Sequence, residues 1–245
     1  MSKRKSKSIK KSPKSSSRYI LIVRHGTKKE LSNRYDLPIC SKKYCQDKNT
    51  FSKLKLVKKS PNQKVVYASP FLRTKQTAGR MVKKLDYDKP IYIDDGLGEA
   101  YSQVSSQLKK CGESRYRVAS SSPKRIDKCM KNINSKEKLF LYKATSELSR
   151  YNFKKSRSPK RHCVNSKKNQ DQMFKHSVEN ILKKNPNKDI VIVTHGRNVQ
   201  KSLQNLSPRR GIPRLSLLPP TCGSVLYKQS GKQVKIVNSK GIWNL

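Results

Sequence analysis

Acidic residues are what this sequence has least of. Asp and Glu number 15 against 58 Lys and Arg, so the formal charge is +43 over 245 residues. That imbalance goes far beyond what solubility requires and names polyanions as the natural surroundings, whether nucleic acid, an anionic membrane surface or phosphorylated substrates. Binding of this kind is expected to weaken steeply with salt. Long apolar runs are also missing. None approaches the roughly 20 residues of a membrane span, and no apolar segment of the signal-peptide kind follows the lysine-rich start. The chain therefore reads as soluble and intracellular, and its charge alone suggests a nucleus, nucleolus or virus particle. The six cysteines (Cys40, Cys45, Cys111, Cys129, Cys163, Cys222) include no Cys-x-x-Cys pair, which argues against a zinc site and, without a signal peptide, for reduced thiols.

With 33% hydrophobic residues and a mean hydropathy of -0.87, the core must be concentrated in particular segments, with basic appendages around it. Residues 1–18 carry eight basic residues, no acidic ones and almost nothing apolar. They are expected to be a disordered tail, because they bury too little to offset the entropy of ordering; a localisation signal or a nucleic-acid arm are its possible roles. From 19 to 245 the pattern predicts one domain. A buried strand "YILIV" (19–23) opens it, followed by "KVVYAS" (64–69), "PIYID" (90–94) and "DIVIVT" (189–194). Helical patterns begin near Pro70, run through Phe174, Val178, Ile181 and Leu182, and cover about 197–206. Two closing strands, 224–228 and 233–237, flank a Ser230-Gly231 hairpin turn. Strands alternating with helices predict an α/β fold, a three-layer sandwich around a mostly parallel sheet. From about 100 to 170 the periodicity is poor and the charge rises, so this stretch is expected to be a basic insertion, partly helical around 137–151; the arginine-serine run near 156 is a candidate for phosphorylation.

The motifs that carry chemistry sit at strand ends. "VRHG" (23–26) and "VTHG" (193–196) each follow an apolar strand, placing two histidines in matching positions at the carboxyl edge of a parallel sheet, where open α/β sheets bind ligands. The glycine after each permits a tight turn and close ligand approach. Between them, "ASPFLRTKQTAGR" (68–80) puts Arg73 in the first turn of a helix, where free N–H groups and a guanidinium both favour a phosphate. Arg24, Arg73 and two histidines around a helix N-terminus make a site for a phosphoryl group.

"RHG" (24–26), "SPFLRTKQTA" (69–78), "GLGE" (96–99) and "THG" (194–196), in this order, resemble the histidine phosphatase superfamily, which has the phosphoglycerate-mutase-like fold. His195-Gly196, in place of His-Asp, is similar to the mutase-like branch, and "DGLGE" with "TCGSVL" (221–226) looks most like its phosphatases of the ubiquitin-associated and SH3-domain type. The resemblance covers roughly 19–100 and 170–240. It implies His25 as nucleophile forming a phosphohistidine, with Arg24, Arg73 and His195 around the transferring oxygens. Glu99 would be the general acid and then base, with Asp94 and Asp95 in reserve. It implies neither a metal nor an organic cofactor. Lys28, after Thr27, stands where relatives carry a second phosphate contact. The expected activity is hydrolysis of a phosphorylated small molecule or phosphoprotein. The alternative is a basic nucleic-acid-binding or packaging scaffold built on a phosphatase-like core. Substrate and oligomeric state are left open.

Overall fold

The computed structural model describes residues 17–27, 48–98, 146–156, 167–206 and 218–237. Their elements are β1 (Arg18–Arg24), α1 (Lys48–Lys59), β2 (Lys64–Ala68), α2 (Leu72–Leu85), β3 (Ile91–Ile93), a 3-10 turn (Asp95–Leu97), β4 (Phe153–Lys155), α3 (Lys167–Lys184), β5 (Asp189–Thr194), α4 (Gly196–Leu206), β6 (Ser224–Ser230) and β7 (Gln233–Ile236).

Seven strands form one sheet in the order β4-β3-β2-β5-β1-β6-β7. The first five in that order run parallel, and β6 and β7 return antiparallel as the closing hairpin. The apolar runs of β1 and β5 are continuous because both faces of the sheet are covered. One face buries Ile20, Ile22, Val65, Tyr67, Ile190 and Ile192 against Phe174, Val178 and Ile181 of α3 and Val199 and Leu203 of α4. The alternate residues Leu21, Val23, Val66, Ala68, Val191 and Val193 pack on the other face against Leu54 and Val57 of α1 and Ala78, Met81, Val82 and Leu85 of α2. Burying each such aliphatic side chain contributes roughly 1.5–3 kcal/mol, so the two-period alternation decides which helix covers which face. This is the three-layer α/β arrangement predicted above.

Local chemistry sets the helix ends. Pro70 precedes α2, and its C-cap, Asp86, is left-handed at φ 52° with its N–H on the Val82 carbonyl, a conformation that Asp tolerates better than most residues. Asp94 caps the 3-10 turn, its side chain accepting from Gly96 N at 2.9 Å.

Two findings differ from the sequence reading. The sheet continues into the stretch read as a basic insertion: Phe153–Lys155 pairs in parallel with β3. One helical turn at 146–148 is tied to α2 by Arg80, which donates to both Glu147 carboxylate oxygens at 2.8 and 3.0 Å. The periodicity misses β4 because Phe153 is the one apolar residue of its three. Secondly, Cys222 is disulfide-bonded, where reduced thiols were expected. Residues 1–16 of the tail, the rest of the insertion and the "KSRSPKRH" run beyond Ser156 lie outside the described residues, whereas Arg18, read as the end of the tail, is buried as the first residue of β1. Among the described residues no helix is long and apolar enough to cross a membrane.

Candidate active site

Parallel pairing of β1, β5 and β2 brings three strand ends together at the carboxyl edge. Arg24 lies in register with Thr194 and Ala68 with Val193, so His25, Ser69 and His195, each one residue further on, become neighbours. The His25 and His195 rings meet edge to face, 5.4 Å between centroids. Both are buried.

His25 Nδ1 is hydrogen-bonded to the Gly26 carbonyl at 2.7 Å. A carbonyl only accepts, so Nδ1 carries the proton and Nε2 keeps its lone pair. The Gly26 peptide is fixed in turn: its N–H donates to Thr77 Oγ1 at 3.0 Å, and Thr77 donates to the Arg73 carbonyl at 2.7 Å. Burial first, then the Arg73 guanidinium, coupling to the neighbouring His195 ring and the Arg24 guanidinium, holds the His25 pKa well below the usual histidine value, opposed by the Gly26 bond. Desolvation and like charge both penalise imidazolium. The ring is therefore neutral at physiological pH.

Arg73 is buried in the first turn of α2. Its guanidinium stacks 4.6 Å over the Phe71 ring, and Nη2 reaches His195 Nδ1 at 3.2 Å. His195 Nε2 lies 2.9 Å from Ser69 Oγ, and Phe71 packs edge to face on the imidazole at 4.8 Å. Arg24 passes over Gly196, where an added Cβ would come within 3.2 Å of its Nε, and donates from Nη1 to the Pro219 carbonyl. Glycine after His195 thus leaves room for the close approach of an arginine.

The edge thereby brings together four of the five residues singled out by sequence, Arg24, His25, Arg73 and His195. Glu99, the fifth, lies outside the described residues, as does Lys28. The chain leading to Glu99 is described as far as Gly98 and is strapped down. Asn198 Nδ2 lies 3.0 and 2.9 Å from the Leu97 and Gly98 carbonyls and 2.8 Å from Thr194 Oγ1. Gln170 reaches the Gly98 carbonyl at 2.7 Å, and Thr194 donates to that of Leu97 at 2.7 Å. Of the reserve candidates, Asp94 is buried and accepts from Gly96 N and from Ser177 Oγ, each at 2.9 Å, which commits it to shaping this turn. Asp95 faces Lys155 Nζ at 3.7 Å, and burial raises its pKa.

Sequence reading missed Ser69, Phe71, Thr77, Asn198 and the rim pair Thr27 and Thr221, whose hydroxyls lie 3.1 Å apart. Ser69 and Thr77 stand inside the quoted 68–80 stretch, where position at a strand end was the available signal. Asn198 had a fainter one: it lies three residues beyond His195, on the first turn of α4.

No protein-family model matches this sequence, and no curated protein matches it in sequence. Comparison of structures is informative. The chain superposes on the ecdysone phosphate phosphatase from Bombix mori, solved in complex with tungstate, with a TM-score of 0.52 and 14% identity, covering 90% of this chain and 92% of the other. It matches a phosphoglycerate mutase from Bacillus anthracis with a TM-score of 0.50 and 14% identity, covering 94% and 95%. The chain shares the α/β sandwich fold of these two enzymes.

Proposed function

We propose that the protein is a metal-independent phosphomonoesterase, with one catalytic domain over 19–245 that works through a phosphohistidine on His25. The observation that supports this reading best is the state of His25: a buried, neutral imidazole with Nδ1–H committed to the Gly26 carbonyl at 2.7 Å and Nε2 left as the nucleophilic nitrogen. In the first step the Nε2 lone pair attacks phosphorus, an N–P bond forms, the P–O bond to the leaving group breaks, and Glu99 delivers a proton to the departing oxygen. In the second, Glu99 takes a proton from water, whose oxygen attacks phosphorus; the N–P bond breaks and inorganic phosphate leaves. Arg24, Arg73 and His195 are the groups that would stabilise charge on the transferring oxygens. Hydrolysis is favoured over mutase chemistry because the fuller set of substrate residues that a glycolytic mutase needs is absent from the sequence. The substrate class is a phosphorylated small molecule or phosphoprotein.

Hydrolysis of p-nitrophenyl phosphate in EDTA, at salt high enough to suppress polyanion binding, tests the proposal. Wild type is expected to turn over and His25→Ala to lose at least about 1,000-fold, comparable to removal of a nucleophile in other two-step hydrolases. Equal turnover in the two proteins would overturn the assignment.

A further inference from the structure

The catalytic edge is one of two. At the opposite, amino edge of the sheet, the topology gathers the turns α1–β2, α2–β3, α3–β5 and β6–β7. Side chains stitch these turns together. Asn62 donates to the Ser17 carbonyl at 2.8 Å and to Asp189 Oδ1 at 3.1 Å, Asp189 N donates to the Gln63 carbonyl at 2.8 Å, and Arg18 reaches the Leu182 carbonyl on one side and Gln229 on the other. The edge is thus one continuous surface.

Its exposed charge is predominantly positive. The three helices that run down to it each end in a lysine pair, Lys58-Lys59, Lys83-Lys84 and Lys183-Lys184, and all six are exposed. A helix C-terminus favours a cation by about 0.3–1 kcal/mol, which accounts for a lysine in a last turn. It does not account for Lys89 and Lys232, exposed in turns of the same edge. The acidic residues nearby do little to offset this. Asp189 is buried and accepts from Tyr19 N and Asn62, Asp86 pairs with Lys58, and Asp88 is a single exposed acid in the same turn as Lys89.

We propose that the amino edge is a docking surface for the phosphate backbone of a nucleic acid, separate from the phosphoryl site and compatible with its use. The seven-stranded edge spans roughly 29 Å at ~4.8 Å per strand, a length along which duplex DNA presents about 17 phosphate charges. Lysines are point charges suited to a sequence-independent backbone. A membrane surface fits less well, since docking there usually adds inserted apolar groups. Among the described residues the exposed large apolar side chains are Leu56 and Leu218, and Leu218 lies beside Pro219, at the catalytic edge. Because the two edges face apart, a protein held by one keeps the other open to substrate.

The test uses the full chain and a 30-base-pair DNA duplex of arbitrary sequence, with affinity measured by fluorescence anisotropy across salt concentrations. Three edge lysines, Lys59, Lys84 and Lys183, are replaced by Gln in one variant. Three lysines away from the edge, Lys154, Lys155 and Lys175, are replaced in a matched control. The edge variant should flatten the slope of log K against log salt by about 3, as loss of three phosphate contacts requires, and the control by less than about 1. His25→Ala should bind as wild type does, which keeps this result independent of the catalytic assignment. An unchanged slope in the edge variant, or an equal change in the control, overturns the proposal. So does a variant that keeps duplex binding but loses binding to vesicles containing phosphatidylserine, because the edge would then be a membrane surface.

Discussion

Arg73 Nη2 lies 3.2 Å from His195 Nδ1, and a guanidinium offers donors only. Nδ1 must therefore accept, and the His195 proton resides on Nε2, directed at Ser69 Oγ 2.9 Å away. The two histidines of the site consequently hold opposite tautomers, Nδ1–H on His25 and Nε2–H on His195. Nitrogen-15 NMR of labelled histidine at neutral pH should resolve one of each; two rings of the same tautomer would contradict the arrangement. Ser69→Ala, which leaves a buried N–H without its acceptor, should cost about 1–3 kcal/mol, measured by urea denaturation.

The depressed pKa of His25 has a consequence for stability. Unfolded, the ring titrates near ~6.5; folded, it titrates well below that value. Between the two the unfolded chain binds a proton that the folded chain refuses, so stability is full above ~6.5 and is lost as pH falls toward the folded pKa, by up to about 1.4 kcal/mol per pH unit. Denaturation of wild type and His25→Gln across pH 4 to 8 checks this: the variant should show the shallower acid loss.

Asn198 holds two carbonyls of the turn that ends at Gly98, together with Thr194 Oγ1. Asn198→Ala should destabilise the fold by about 1–3 kcal/mol, since two buried carbonyls each lose one of their two donors. If Glu99 is the general acid, kcat should fall more than KM rises. Thermal denaturation and steady-state kinetics separate the two effects.

Gly96 has no room for a side chain. A Cβ there would sit 1.9 Å from Ser177 Oγ and 3.1 Å from the Met173 carbonyl. Gly96→Ala should cost about 1–3 kcal/mol through overpacking, and Ser177→Gly in the same chain should recover part of it. A double-mutant cycle by chemical denaturation gives the coupling; strict additivity would show that the two positions do not touch.

Gly196→Ala would press on Arg24 at 3.2–3.4 Å and displace its guanidinium by tenths of an ångström. About a ten-fold loss in kcat/KM for p-nitrophenyl phosphate is expected, given how steeply misplacement of a positioning group costs rate, with unfolding midpoint little changed.

The contrast between β5 and β4 explains what the sequence made legible. "DIVIVT" is buried at every position and reads as a strand at its observed bounds, whereas Phe153-Lys154-Lys155 has no repeat to reveal it and depends on its β3 partner. α1 behaves similarly: Leu54 and Val57 point inward while four lysines follow or precede them between 53 and 59, so the apolar pattern alone does not reveal the Lys48–Lys59 helix. At the site, Arg24 and the two histidines were legible because strand ends followed by glycine announce them, and Arg73 because it stands in the first turn of a helix. Ser69, Thr77 and Asn198 were not, because small polar residues acquire their meaning from partners more than 50 or 100 positions away.

The backbone around the His25 residue is held from both sides: its N–H donates to the Thr194 carbonyl at 2.9 Å, and its own carbonyl accepts from Cys222 N at 3.1 Å. These bonds join β1 to β5 and to the turn before β6, so neither can open while the sheet is intact. The His25 amide should then exchange its hydrogen at the rate of global unfolding. On the proposal that His25 is the nucleophile, it gains no reach from local breathing, and adaptation to different phosphate esters falls to the rim around it.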